Sequence, residues 1–164
     1  MNASKEKNIL RLLENDAKLT PRQIAAMLDM SEGDVAAPIA KFEADGTILK
    51  YMAQVDWERA GEELVTALIE VKIAPQQGDG FDRIAERIYQ YEEVDSVYLM
   101  SGDFDLAVYI TGRSMKEIAQ FVYAHLAPID GVTATATHFI LKKYKEKKCV
   151  FKQPEEQEER MLFV

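Results

Sequence analysis

Asp56-Trp57-Glu58-Arg59-Ala60-Gly61-Glu62-Glu63-Leu64-Val65-Thr66-Ala67-Leu68-Ile69-Glu70-Val71-Lys72-Ile73 is where the chain changes rhythm. Before Asp56 the apolar residues recur at helical spacing. After Glu63 they alternate: Val65, Ala67, Ile69, Val71 and Ile73 fall on one side, the pattern of a half-buried strand. The two periods predict two units of different architecture joined at this seam.

Upstream, Ile9, Leu10, Leu12 and Leu13 give a first helix its apolar stripe, with Ser4 or Asn2 as the expected cap and Asp16 to Leu19 as its end. Thr20-Pro21-Arg22-Gln23 is a strong helix start: a hydroxyl N-cap, a proline at the first helical position and a glutamine completing a capping box. Ile24, Ala25, Met27 and Leu28 are expected to face inward on this second helix. Asp29-Met30-Ser31 reads as a tight turn, with Ser31 capping a third helix whose buried face is Val35, Ile39 and Phe42; Gly46 stops it. Pro38 interrupts that helix at a cost of about 3 kcal/mol in an interior position, less if the helix begins near Val35 to Ala37. Thr47 to Val55 reads as an extended connector. Three short helices with this turn are a helix-turn-helix.

Downstream of the first strand, Pro75 to Gly80 is a loop, and Phe81, Ile84, Ala85 and Ile88 follow helical spacing. Val97 and Leu99 belong to a second strand and Leu106, Val108 and Ile110 to a third, joined as a hairpin through Gly102-Asp103-Phe104-Asp105. Ser114, with Glu117 three residues on, caps a second helix that buries Met115, Ile118, Ala119, Val122 and Leu126 and ends over Pro128 to Gly131. Val132 to Leu141 is a fourth strand, with Thr133, Thr135 and Thr137 alternating on one face. The expected class is α+β: a three-helix, winged-type helix-turn-helix head and a ferredoxin-like βαββαβ body. The expected bounds are a head over 1–50, an extended linker strand over 51–61, the body over 62–148 and a tail over 149–164. Two helices cover one face of such a sheet; a second copy of the chain is the simplest cover for the other.

Composition narrows the function. The 164 residues carry a net charge of −8 and contain one cysteine, Cys149, so no internal disulfide forms. No stretch approaches the roughly 18–20 apolar residues that cross a membrane, and the charged N-terminus has no secretory apolar core. A cytoplasmic protein without a membrane partner is expected. Residues 1–56 hold seven Lys/Arg against nine Asp/Glu, so the head is itself slightly acidic, unlike the basic footprint of a general nucleic-acid binder. No Gly-rich phosphate loop, GxSxG elbow or HExxH pair is present. His125 and His138 have no carboxylate or cysteine at motif spacing, and Asp103 and Asp105 lack further ligands for a metal. No cofactor, no metal and no catalysis are expected. Trp57 at the seam reads as an anchor, and the tail, acidic over Pro154 to Arg160 and apolar over Met161 to Val164, as a loose terminus or a docking segment.

Four stretches, ILRLLENDAKLTPRQIAAMLDMSEGDV (9–35), FEADGTILKYMAQVD (42–56), GDFD (102–105) and GVTATATHFILKK (131–143), carry a resemblance to the Lrp/AsnC, or feast/famine, regulators. The resemblance spans about Lys5 to Lys147. It implies a head that binds double-stranded DNA through its third helix. It also implies a body that senses a small amino acid and pairs into homodimers, often tetramers or octamers. The expected DNA-facing residues are Arg22, Ser31, Glu32, Asp34, Lys41 and Lys50. The resemblance places the effector at the loop between the second and third body strands: Gly102, Asp103, Phe104 and Asp105, with Thr133 and Thr135 adding hydroxyls. The chemistry suits an amino acid, since a carboxylate accepts from its ammonium group and backbone N–H groups near a glycine approach its carboxylate. The chain departs from the family where arginines usually stand in the third helix; here only Lys41 is basic, and Pro38 occupies a position often basic. Glu32 and Asp34 favour the helix dipole but repel phosphates. A competing expectation is therefore an oligomeric amino-acid sensor with a degenerate head that does not bind DNA alone. Certain haem-pathway decarboxylases share the architecture, without any residue here that supports catalysis.

Overall fold

Thr20 accounts for the first turn of the second helix. In the computed structural model, which describes residues 3–74 and 80–151, its hydroxyl accepts from Gln23 N–H at 3.3 Å while Gln23 Oε1 accepts from Thr20 N–H at 2.8 Å. The reciprocal pair satisfies two of the donors a helix start leaves open. The chain divides into two compact units, 1–55 and 56–164.

The first unit holds α1 (Ala3–Asn15), α2 (Pro21–Leu28) and α3 (Glu32–Ala44). Ile9, Leu13, Ile24, Ala25, Val35 and Ile39 form its core. Ser4 lies inside α1 rather than capping it, and Asn2 is outside the described residues. Met27 is exposed, because Ile24 and Leu28 already fill the inward stripe of so short a helix. Asp29 turns the chain in the left-handed region, φ 51°, a conformation an aspartate tolerates better than most residues.

Ser31 caps α3, accepting from Asp34 N–H at 3.1 Å, so the helix begins at Glu32 and Pro38 falls in its interior. Ser31 is the cap as expected, and of the two placements weighed for Pro38 the chain takes the interior one. Pro38 is buried with Val35, Ile39 and Phe42, so it packs in the core and takes no place on the outward surface. Residues 51–56 have no ladder partner and 57–61 form a turn, so the expected linker strand is not one. Asp56 organises that turn, accepting from Arg59 N–H at 3.2 Å. Tyr51 ties the connector back to α3, donating to Glu43 Oε1 at 2.8 Å.

The second unit is a four-stranded antiparallel sheet in the order β2-β3-β1-β4, made of β1 (Val65–Ile73), β2 (Val94–Leu99), β3 (Leu106–Gly112) and β4 (Val132–Phe139). α4 (Gly80–Tyr89) and α5 (Met115–Phe121) pack on one face. Ala67, Ile69, Val71 and Ile73 from β1 and Leu106, Val108 and Ile110 from β3 meet Ile84, Ile88, Ile118, Phe121, Val122 and Leu126. The loop expected over Pro75 to Gly80 lies, for 75–79, outside the described residues, and Gly80 begins α4.

Ser114 caps α5 as expected, but Glu117 reaches Arg113 N–H at 2.7 Å rather than the cap residue's own. Past Phe121 the helix widens into a π turn over Val122–Leu126, closed by Ala127 N–H to Val122 O at 2.9 Å. Phe121 and Val122 are buried beside Ile118, and the expected Met115 and Ala119 are exposed. Phe81, in the first turn of α4, is likewise exposed. β4 ends at Phe139 rather than Leu141. The chain then forms a small hairpin of β5 (Lys145–Glu146) and β6 (Cys149–Val150), so the expected body–tail boundary at 148/149 cuts through its turn. The rest of the expected tail, 152–164, lies outside the described residues.

Partial desolvation, together with the bond to Glu43 and its charge, raises the Tyr51 phenol above its ordinary pKa of 10.0. A raised value means the stabilisation is fully present below pH 10 and is lost as pH climbs through the folded value. Tyr51→Phe should lower the stability of the first unit by about 0.5 kcal/mol at neutral pH. In paired urea titrations that difference should shrink toward zero in strongly alkaline buffer.

Candidate functional site

Asp105 fixes the geometry of the GDFD turn. Its Oδ2 accepts from Ile73 N–H at 2.7 Å, its own N–H donates to Val71 O at 3.0 Å, and its carbonyl accepts from Met100 N–H at 2.8 Å. These three bonds clamp the turn between β2 and β3 onto the last residues of β1. With its carboxylate so engaged, Asp105 is a structural clamp, and the exposed turn is left to Gly102 and Asp103, with Phe104 half-buried. Gly102 has φ 137°, a left-handed conformation that L side chains rarely adopt, and no heavy atom lies within 4 Å of where a Cβ would stand.

The threonines flank the same end of β1 from its other side. Thr135 is opposite Val71 and Thr137 opposite Ile69, so both lie on the helix-covered side of the sheet. Thr133 is out of step with them. Val132 pairs with Ile73 and Ala134 with Lys72, so a bulge leaves Thr133 as the extra residue, and its hydroxyl donates to Lys72 O at 3.2 Å. The expected single face of three threonines is thus broken at Thr133. The turn and the threonines sit on opposite flanks of β1, about 10 Å apart at the usual spacing of two strand intervals.

The other sheet face carries Leu68 opposite Tyr109, with Glu70, Ala107, Tyr98, Ala136 and His138 around them. Tyr98 and Tyr109 meet edge to face at 6.2 Å between ring centroids, and His138 Nε2 lies 3.2 Å from Glu70 Oε1. Motif spacing missed this contact, because the two residues meet only through the β1–β4 register. His125 joins Tyr91 and Phe121 in an aromatic cluster, with ring centroids 4.8 and 5.2 Å away.

In the first unit, Arg22, Ser31, Glu32, Asp34, Lys41 and Lys50 are all exposed. Arg22 is the second residue of α2, Ser31 to Asp34 open α3, Lys41 lies near its C-terminal end and Lys50 follows it on the connector. Asp34 accepts from the Ser31 hydroxyl at 2.7 Å, so its carboxylate is partly turned to the cap. Between the exposed Asp34 and Lys41 the outward positions of α3 are small: Ala37 and Ala40 are exposed and Ala36 is half-buried. Small side chains let the backbone of a helix approach a groove closely. Asp45, just past α3, is held below its ordinary pKa by hydrogen bonds from the Thr47 side chain and backbone, so it stays anionic there.

A helix-turn-helix unit followed by a ferredoxin-like sheet suits a DNA-binding regulator with a sensing domain. Residues 4–48 match the winged helix-turn-helix DNA-binding family, and residues 66–150 match the Lrp/AsnC ligand binding domain. The chain is 47% identical over 148 residues to the HTH-type transcriptional regulator YugG of Bacillus subtilis (strain 168), covering 90% of this chain and 89% of that protein. It is 30% identical over 141 residues to the HTH-type transcriptional regulator FL11 of Pyrococcus horikoshii, covering 86% and 90%. The transcriptional regulator NMB0573 of Neisseria meningitidis, solved as a complex with L-Met, has the same fold, with a TM-score of 0.72, 23% identity and coverage of 89% and 94%. The chain belongs to the Lrp/AsnC family of DNA-binding transcriptional regulators, a family of regulators rather than enzymes. Among the described residues no helix is long and apolar enough to cross a membrane.

The two aspartates of the turn should separate cleanly in mutants. Asp105→Ala leaves Ile73 N–H without its partner and should cost about 1–3 kcal/mol in urea unfolding. Asp103→Ala, at an exposed position, should stay within about 0.5 kcal/mol of the parent.

Proposed function

We propose that the protein regulates transcription in response to a small amino acid bound at the exposed part of the GDFD turn, and that it works as a homodimer or a larger ring. The observation that carries the effector reading is the clamp made by Asp105. It anchors the turn at the sheet end, with the exposed Asp103 carboxylate beside the unobstructed backbone of Gly102. Asp103 accepts from the effector's ammonium group, and the backbone beside Gly102 receives its carboxylate. Thr133, exposed at the bulge, stands on the far flank of β1, whereas Thr135 faces the helix-covered side. The L-Met complex of the Neisseria relative supports an amino acid as the class of ligand.

The homodimer reading rests on the sheet face that the helices leave uncovered. Two adjacent rows cross it, Tyr109-Leu68-His138 and Ala107-Glu70-Ala136, so apolar side chains surround the Glu70–His138 contact. A second copy brings the same groups in reverse order, the arrangement of a two-fold interface. In the head, Arg22, Lys41 and Lys50 contact phosphates, while the N-terminal turn of α3 from Ser31 to Asp34 approaches the base edges. Two heads on one duplex double the few cations each can offer.

A thermal-shift panel of the amino acids, L-methionine first, tests the effector reading. A ligand at 100 times its Kd stabilises by about 2.7 kcal/mol, a readily measured rise in Tm. Asp103→Ala should abolish the rise while leaving the unliganded Tm in place; a panel without any shift sinks the reading. Light scattering on Leu68→Glu should give the monomer mass where the parent gives a dimer or larger.

A further inference from the structure

Five of the thirteen lysines and arginines that follow Asp56 are packed into one short segment. Lys142, Lys143, Lys145, Lys147 and Lys148 stand within seven residues, with Glu146 as the single acid among them. That segment carries +4 in a chain whose net charge is −8. All five lysines are exposed. The segment is ordered: β5 and β6 pair Lys145 with Val150 and Glu146 with Cys149, and Phe151 N–H donates to Tyr144 O at 3.1 Å. Lys143 reaches Glu146 at 3.8 Å, and the Lys142 ammonium sits 5.0 Å from the centroid of the Tyr144 ring.

The turn at the hairpin tip is chemically odd. Lys147 has φ 45° and Lys148 φ 70°, so both central residues are left-handed. Two-residue turns of this kind favour Asn-Gly, which enters the conformation without steric penalty. Here two lysines are held in it, side by side and next to three more. For a hairpin that serves only the fold, the like charges and the backbone strain both work against stability. Strain of this sort collects where a segment does something else.

The head supplies the complementary fact. Residues 1–56 carry a net −2, and α3 offers Lys41 as its one cation. We propose that the lysine hairpin, residues 142–151, is a second contact of this protein with the phosphate backbone of duplex DNA, supplying charge that the head lacks. The inference rests on the head being a DNA-binding unit. Lysines act here as mobile point charges on phosphates; they add affinity and on-rate without reading bases. Tyr144, beside them and exposed, adds a hydroxyl of the kind that also bonds phosphate oxygens.

The test uses the full-length protein and two labelled duplexes, one from upstream of its own gene and one of scrambled sequence, in fluorescence anisotropy across a salt series. Lys145→Gln, Lys147→Gln and Lys148→Gln combined should weaken binding to both duplexes about equally, on the order of tenfold at moderate salt. The salt slope should fall by about 0.9 for each phosphate that is no longer neutralised. The triple arginine variant should bind as the parent does. A glutamine variant with the parent's affinity and slope overturns the hairpin's role and leaves the head's intact. So does a weakening confined to one duplex, which would mean altered base reading, or an equal weakening in the arginine variant, which would mean a damaged fold. A parent protein that leaves both duplexes unbound at low salt overturns the reading of the head, and that of the hairpin with it.

Discussion

β1 is the strand on which the body depends. It pairs with β3 on one side and β4 on the other, and its odd-numbered residues from Ala67 to Ile73 line the core. Burial on the helix side fixes register strongly, because a slip of one residue would send Ile69 and Val71 to the opposite face. That register then decides where chemistry can stand. It brings Asp105 to Ile73 N–H, sets Thr133 aside as a bulge and lets His138 meet Glu70. None of these contacts is local in sequence, and all follow from one set of pairings.

The head shows a different balance. Acidic residues are poorly suited to a surface that meets phosphates, yet three of those in the head have local work. Asp34 serves the Ser31 cap, Glu43 holds Tyr51, and Asp45 takes Thr47. Each carboxylate is engaged in local structure, which limits but does not remove its repulsion of a duplex. Pro38 is explained in the same way. It packs inward with Val35 and Phe42, so its effect on the outer surface is exerted through the backbone bond it lacks.

Local signals were legible in the sequence wherever one residue type had one physical reason. Thr20 with Gln23, Ser31, Ser114 and the positive-φ Gly46 all mark helix ends where the chain has them. The alternation from Val65 to Ile73 gave the central strand, and Gly102 to Asp105 the hairpin turn. The signals failed where tertiary geometry overrode period. Met115 and Ala119 fit an α-helical stripe, but the inward line of α5 runs through Ile118 and Phe121. The β5–β6 hairpin left no trace because its turn holds Lys147-Lys148 in place of Asn-Gly. The candidate site was half legible: GDFD stood out as a turn, but the division of labour between Asp103 and Asp105 depends on Ile73, about thirty residues away along the chain.

The π turn at Val122–Leu126 also carries a spare residue. An α-helical turn advances by 3.6 residues, so deleting one residue from a regular helix swings everything beyond it by about 100°. Within this ring the same deletion would convert the Ala127-to-Val122 bond into an ordinary α-helical one. Phe121 and Leu126 would keep their bearings toward the sheet. Around the exposed Tyr123 and Ala124 the body can thus shorten by one residue without losing its interior, a latitude that α4, regular throughout, does not possess.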